Sequence, residues 1–119
     1  MSEQTDIKEL IIEGIQNRKG HNITVVDLGN IDTAATGTFI IAEGTSTTHT
    51  ASIAESVEEH VRLNSGVKPF GTDGENTGDW VIMDYGDIWV HIFLPETRLR
   101  YNLEELWSDA DIKQLADLY

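Results

Sequence analysis

The sequence contains no cysteine. Disulfides, thiolate nucleophiles and cysteine-bound zinc are therefore excluded. Cationic side chains are scarce: 8 Lys and Arg stand against 21 Asp and Glu in 119 residues, a formal charge of −13. Such a chain repels the phosphates of bare nucleic acid, and no direct DNA binding is expected. No apolar run approaches the roughly 18 residues of a membrane-spanning helix, so no membrane association is expected. The opening Met1-Ser2-Glu3-Gln4-Thr5-Asp6 is polar and acidic, unlike a secretory signal. A cytoplasmic location follows as the expectation. Repeats and low-complexity tracts are also missing, which argues for one unit. The 39% of hydrophobic residues suffices for a core at this length.

The apolar pattern then orders the chain. Ile7, Leu10, Ile11 and Ile15 recur at helical spacing, with a stop near Gly20. Ile23 to Leu28 is a β-branched strand and Gly29 to Thr36 is turn-rich. Phe39-Ile40-Ile41-Ala42 is too short for a helix and reads as a buried strand. Gly44-Thr45-Ser46 breaks it with hydroxyls placed to cap a second helix. Ile53, Ala54, Val57 and Val61 form that helix's stripe, and Gly66 ends it. Val67 to Phe70 is expected as a short strand, at an edge because of Pro69. A polar loop, Thr72 to Gly78, leads to two apolar runs, Trp80–Tyr85 and Ile88–Leu94. The end holds Leu103, Leu106 and Trp107, then an acidic, weakly helical stretch. This order predicts an α/β domain with a mixed sheet of about five strands, helices mainly on one face, and a C-terminal β-hairpin. Residues 1–108 are expected to form the domain and 109–119 an acidic tail.

Gly86-Asp87 between the two runs fits a two-residue turn with glycine first. That turn sets Tyr85 opposite Ile88, Asp84 opposite Trp89, Ile82 opposite His91 and Trp80 opposite Phe93. One face of the hairpin is then aliphatic: Val81, Met83, Ile88, Val90 and Ile92, with Tyr85. The other mixes Trp80, Ile82, Asp84, Trp89, His91 and Phe93. Two readings fit that mixture: a protein-binding surface with aromatic anchors, or a second core layer.

Several short motifs occur in a fixed order: Gly44-Thr45-Ser46 with His49, Gly71, Gly74-Glu75, Asp79-Trp80, Asp84-Tyr85-Gly86-Asp87 and Val90-His91-Ile92-Phe93. Pro95-Glu96 with Arg98 and Tyr101-Asn102-Leu103-Glu104 with Leu106-Trp107 complete the series. Taken together, residues 5–108 resemble the ribosomal silencing factor (RsfS/Iojap) family. The resemblance implies a nucleotidyltransferase-like α/β fold without catalysis or cofactor. It implies binding to the large ribosomal subunit through ribosomal protein number fourteen, which blocks joining of the small subunit and represses translation under nutrient limitation. It also implies that a homodimer is possible. Carried over by position, Trp80, Asp84 and Tyr85 match the family's ribosomal-protein contact, with His91 and Phe93 in the matching strand. The chain departs from the family pattern at Gly37-Thr38, where an Asp and a Tyr or Cys are usual, and at Thr48, where an Arg is usual.

The competing class is a nucleotide-binding or nucleotidyl-transferring enzyme. Gly44-Thr45-Ser46 at a strand-to-helix turn suits phosphate, but it lacks the lysine and spacing of a P-loop. Resemblance to a catalytic nucleotidyltransferase implies paired carboxylates soon after this turn to hold magnesium; Thr47, Thr48 and His49 stand there instead. A cap is the better reading. Asp84 and His91 share a face without being opposed, and no His-x-x-x-His spacing supports a metal.

Overall fold

The computed structural model describes residues 7–28, 37–102, 105 and 110–117. The turn-rich Gly29–Thr36, the pair Leu103 and Glu104, and Leu106, Trp107 and Asp109 lie outside them.

Among the described residues, three helices and six strands follow in chain order: α1 (Ile7–Asn17), β1 (His21–Asp27), β2 (Thr38–Glu43), α2 (Thr47–Ser65), β3 (Gly71–Asp73), β4 (Trp80–Asp84), β5 (Ile88–Phe93), α3 (Pro95–Tyr101) and β6 (Asp111–Gln114). They form one sheet in the order β3-β4-β5-β2-β1-β6. β2 and β5 run parallel and the other neighbours antiparallel. The mixed α/β architecture expected from the sequence is what forms, with six strands instead of about five.

The main core lies between one sheet face and α1 with α2. Leu10, Ile11 and Ile15 of α1 and Ile53, Ala54, Val57 and Val61 of α2 meet Ile23, Ile40, Ala42, Val81, Met83, Val90 and Ile92. The helices touch closely at Gly14, where a Cβ would stand 2.8 Å from the Val57 Cα. Ser56 Oγ donates to the Gly14 carbonyl there at 2.8 Å. Ser46 caps α2 as its composition predicts, accepting from the His49 backbone N–H at 3.1 Å. Gly66 ends the helix at φ 76°.

Two segments differ from the sequence reading. The edge strand begins at Gly71, beyond the expected Val67–Phe70; only Phe70 joins the ladder, donating its N–H to the Asp84 carbonyl at 2.7 Å. Pro69 has no N–H to give, which delays pairing. Residues 111–114, expected in a weakly helical tail, form β6 along β1. The open edge of β1 supplies backbone partners that a solvated helical turn lacks, so pairing overrides local propensity. Asp117 then ties the chain down, its carboxylate accepting from the Asn22 N–H at 3.1 Å and meeting His21 Nδ1 at 3.0 Å.

α3 had no counterpart in the sequence reading. Its signals are Pro95 in the first turn, Glu96 beside it and Arg98 with Arg100 in the last turn. Arg98 pins it to the second sheet face: Nη1 donates to the Asn22 carbonyl at 2.7 Å and to Glu43 at 3.1 Å, and Nη2 to Thr24 Oγ1 at 2.7 Å.

Candidate partner-binding site

Alternation along β4 and β5 decides which hairpin residues share a face. The observed register pairs Trp80 with Phe93, Ile82 with His91 and Asp84 with Trp89, as the turn predicts. Gly86 has φ 88°, the left-handed value that its turn position requires. Asp84 stiffens the turn by accepting from the Gly86 N–H at 2.8 Å.

The second sheet face carries an aromatic cluster. Trp80 stacks on Phe93 with centroids 5.0 Å apart and leans on Tyr101 of α3 at 4.6 Å. His91 meets Phe39 of β2 edge-on at 4.8 Å and lies parallel to Phe93 at 6.1 Å. Trp80 Nε1–H donates to His91 Nδ1 at 3.1 Å. The remaining ring proton of the neutral imidazole is therefore on Nε2, which is buried with no hydrogen-bond partner. Burial lowers the His91 pKa from 6.5 to about 4, so the ring stays neutral near pH 7.

The five residues carried over from the family pattern fall into four places. Phe93 and His91 are buried, 1% and 5% exposed, and act as the floor of the cluster. Trp80 stands half-buried on that floor, at the end of β4 away from the turn. Asp84 shares its face but sits at the turn end, on the order of 13 Å along the strand. Tyr85 belongs to the opposite face. Alternation sends it under the helices with the aliphatic residues, where it packs on the main core with its hydroxyl buried and unpartnered. Burial pushes that hydroxyl's pKa up, and the Glu58 charge adds to the rise.

Phe39 and Tyr101 complete the cluster without having been assigned a role in it. Phe39 arrives through the parallel β2–β5 pairing, which sets it beside Trp89. Tyr101 arrives on α3. Neither contact has a short-range sequence signal, although Tyr101 belongs to the motif series.

The enzyme reading finds its side chains already engaged. Ser46 caps α2. His49 Nδ1 accepts from the Thr45 N–H at 2.8 Å and Nε2 donates to the Arg18 carbonyl at 2.6 Å. It thus ties the end of α1 to the β2–α2 turn. Among the described residues, no three metal-capable side chains gather. Nor is any helix among them long and apolar enough to cross a membrane. A cavity of about 300 Å³ beside α3 is lined by Asn22, Glu43, Arg98, Leu99, Asn102 and Gln114, its Arg98 already held by Glu43.

Comparison with known proteins gives a consistent picture. Residues 2–118 match the family model described as "Ribosomal silencing factor during starvation". A protein of Chromobacterium violaceum named ribosomal silencing factor RsfS is 34% identical over 103 residues, 87% of this chain and 83% of that one. A mouse protein named "Mitochondrial assembly of ribosomal large subunit protein 1" is 29% identical, over 91% of this chain and 50% of its own length. The crystal structure of a C. violaceum protein, 34% identical, superposes with a TM-score of 0.81 over 86% of this chain and 83% of that one.

Proposed function

Because the chain belongs to the ribosomal silencing factor family, we propose that it is a non-catalytic translation repressor of the cytoplasm that binds the large ribosomal subunit. Its contact is ribosomal protein number fourteen. Sitting there, it keeps the small subunit from joining, and translation falls when nutrients are limiting.

The observation that carries this reading is Trp80, a half-buried indole fixed by Phe93, Tyr101 and His91. A large aromatic held rigid and partly open is what an interface anchor needs, because little side-chain entropy remains to be lost on binding. Asp84 adds a carboxylate for a cation of the partner. Phe93 and His91, too buried for contact, act through Trp80 by holding it. The charge of −13 favours encounter with a basic protein surface and disfavours exposed rRNA.

The test is co-sedimentation of the full chain with purified large and small subunits. Selective recovery with large subunits and scarcity on joined ribosomes are expected. Equal recovery with both subunits sinks the reading. A companion subunit-joining assay should show fewer joined particles as the chain is added.

A further inference from the structure

Phe70 is 83% exposed, more than any other large apolar side chain among the described residues. It is nevertheless held in place from several sides. Pro69 stiffens the backbone before it, and its own N–H donates to the Asp84 carbonyl at 2.7 Å. Its ring lies over the hairpin turn, where a Cβ on Gly86 would stand 3.3 Å from Cε2. Glycine at 86 therefore serves the turn's φ of 88° and also leaves room for the ring. Leu63 in the last turn of α2 and Val67 just beyond its Gly66 cap are exposed as well, 69% and 38%.

Nothing within the described fold uses this ring as a core side chain. Its surroundings point outward to a partner of one kind. Asp84 and Asp87 flank Gly86 in the turn, and Asp84 also shares a sheet face with Trp80 through the β4–β5 register. The patch is thus apolar at its centre and acidic at its rim, and Asp84, paired with Gly71, links it round the turn end to the face proposed above. An acidic rim suits a basic protein surface. It disfavours a second copy of a chain carrying −13.

We propose that Phe70, seated on Gly86 at the hairpin turn, is a second apolar anchor that enters a recess on the basic ribosomal protein, extending the binding face round the turn end of the sheet. The inference rests on the reading under Proposed function. It adds a contact that family-pattern carry-over did not supply.

The experiment titrates purified large subunits with the full chain and with Phe70→Ala, Phe70→Asp and Phe70→Leu, each checked by thermal unfolding and by sedimentation alone. Phe70→Ala should bind roughly 10- to 100-fold more weakly, as for an interface anchor. Phe70→Asp should bind more weakly still, and Phe70→Leu within a few-fold of the parent. All three should melt close to the parent, since an exposed ring adds little to folding. Parent-like binding by Phe70→Asp overturns the anchor while leaving the ribosomal reading intact. Failure of the parent itself to bind large subunits overturns both. If Phe70→Asp instead dissolves a self-associated form and leaves subunit binding unchanged, the occupant is a second copy and the proposal is wrong. Should Phe70→Ala melt early, parent-like melting with weakened binding in Phe70→Asp supports the anchor, and early melting in both overturns it.

Discussion

The Trp80 indole donates to His91 Nδ1 at 3.1 Å, although the two residues are not directly opposed across the hairpin. His91 pairs with Ile82, so the bond runs diagonally to the neighbouring position on the same face. It couples a half-buried residue of the aromatic cluster to one of its most buried. It also leaves a single ring proton, on Nε2, facing no acceptor.

That arrangement predicts an acid-sensitive fold. His91 titrates at 6.5 when unfolded and at about 4 when folded, because burial disfavours the cation. Above pH 6.5 both states are neutral and the residue adds no pH dependence. As the pH falls from 6.5 towards 4, the unfolded chain takes up a proton that the folded chain refuses, so stability is lost. The loss is about 3 kcal/mol at about 1.4 kcal/mol per pH unit. Urea unfolding of the parent and of His91→Phe at pH 7 and pH 4 checks this. The variant should lose less stability over the interval by about that amount, and equal losses would refute the assignment.

Trp80→Ala should weaken binding to large subunits by roughly 30- to 1000-fold, the range for an interface anchor losing about 2–4 kcal/mol. It should also lower stability by about 2 kcal/mol, below the fully buried aromatic range of about 3–5, because the indole is only half-buried. Trp80→Phe separates the two effects: it keeps most of the stacking on Phe93 and Tyr101, so stability should largely return. A Trp80→Ala chain that binds normally would remove the anchor.

Tyr85→Phe removes a buried hydroxyl that has no partner. Stability should stay level or rise by up to about 1 kcal/mol, since an unsatisfied buried polar group is lost without disturbing the packing. Binding to large subunits reports separately on the hydroxyl. Parent-like affinity would show that Tyr85 supports the hairpin from below; a large loss would show that the hydroxyl reaches the partner.

Arg98→Met should destabilise the chain by about 2–4 kcal/mol, because the Asn22 carbonyl and Thr24 lose their donor and Glu43, partly buried and still bonded by Asn22, loses its cation. Adding Glu43→Gln should recover part of that loss, a coupling that a double-mutant cycle by chemical denaturation measures. Additive losses would mean that the ion pair does not hold α3.

The features legible in the residues alone are those that depend on neighbours in the chain. Gly86-Asp87 permits one kind of tight turn, and a period of two then assigns every β4 and β5 side chain to a face. Ser46 and Gly66 bracket α2 for equally local reasons. The ordered motifs carried the family. Tertiary structure decided the rest. Only the parallel β2–β5 pairing brings Phe39 to His91, and only the docking of α3 through Arg98 brings Tyr101 over Trp80. Residues 111–114 become a strand because β1 offers an edge. Those contacts join positions up to about ninety residues apart, and no local propensity encodes a partner so distant. The division of Trp80 from Tyr85, adjacent in motif but opposed in facing, has a mixed origin. Alternation set it, and the helices packed on one side buried the Tyr85 hydroxyl while Trp80 stays half-open on the other.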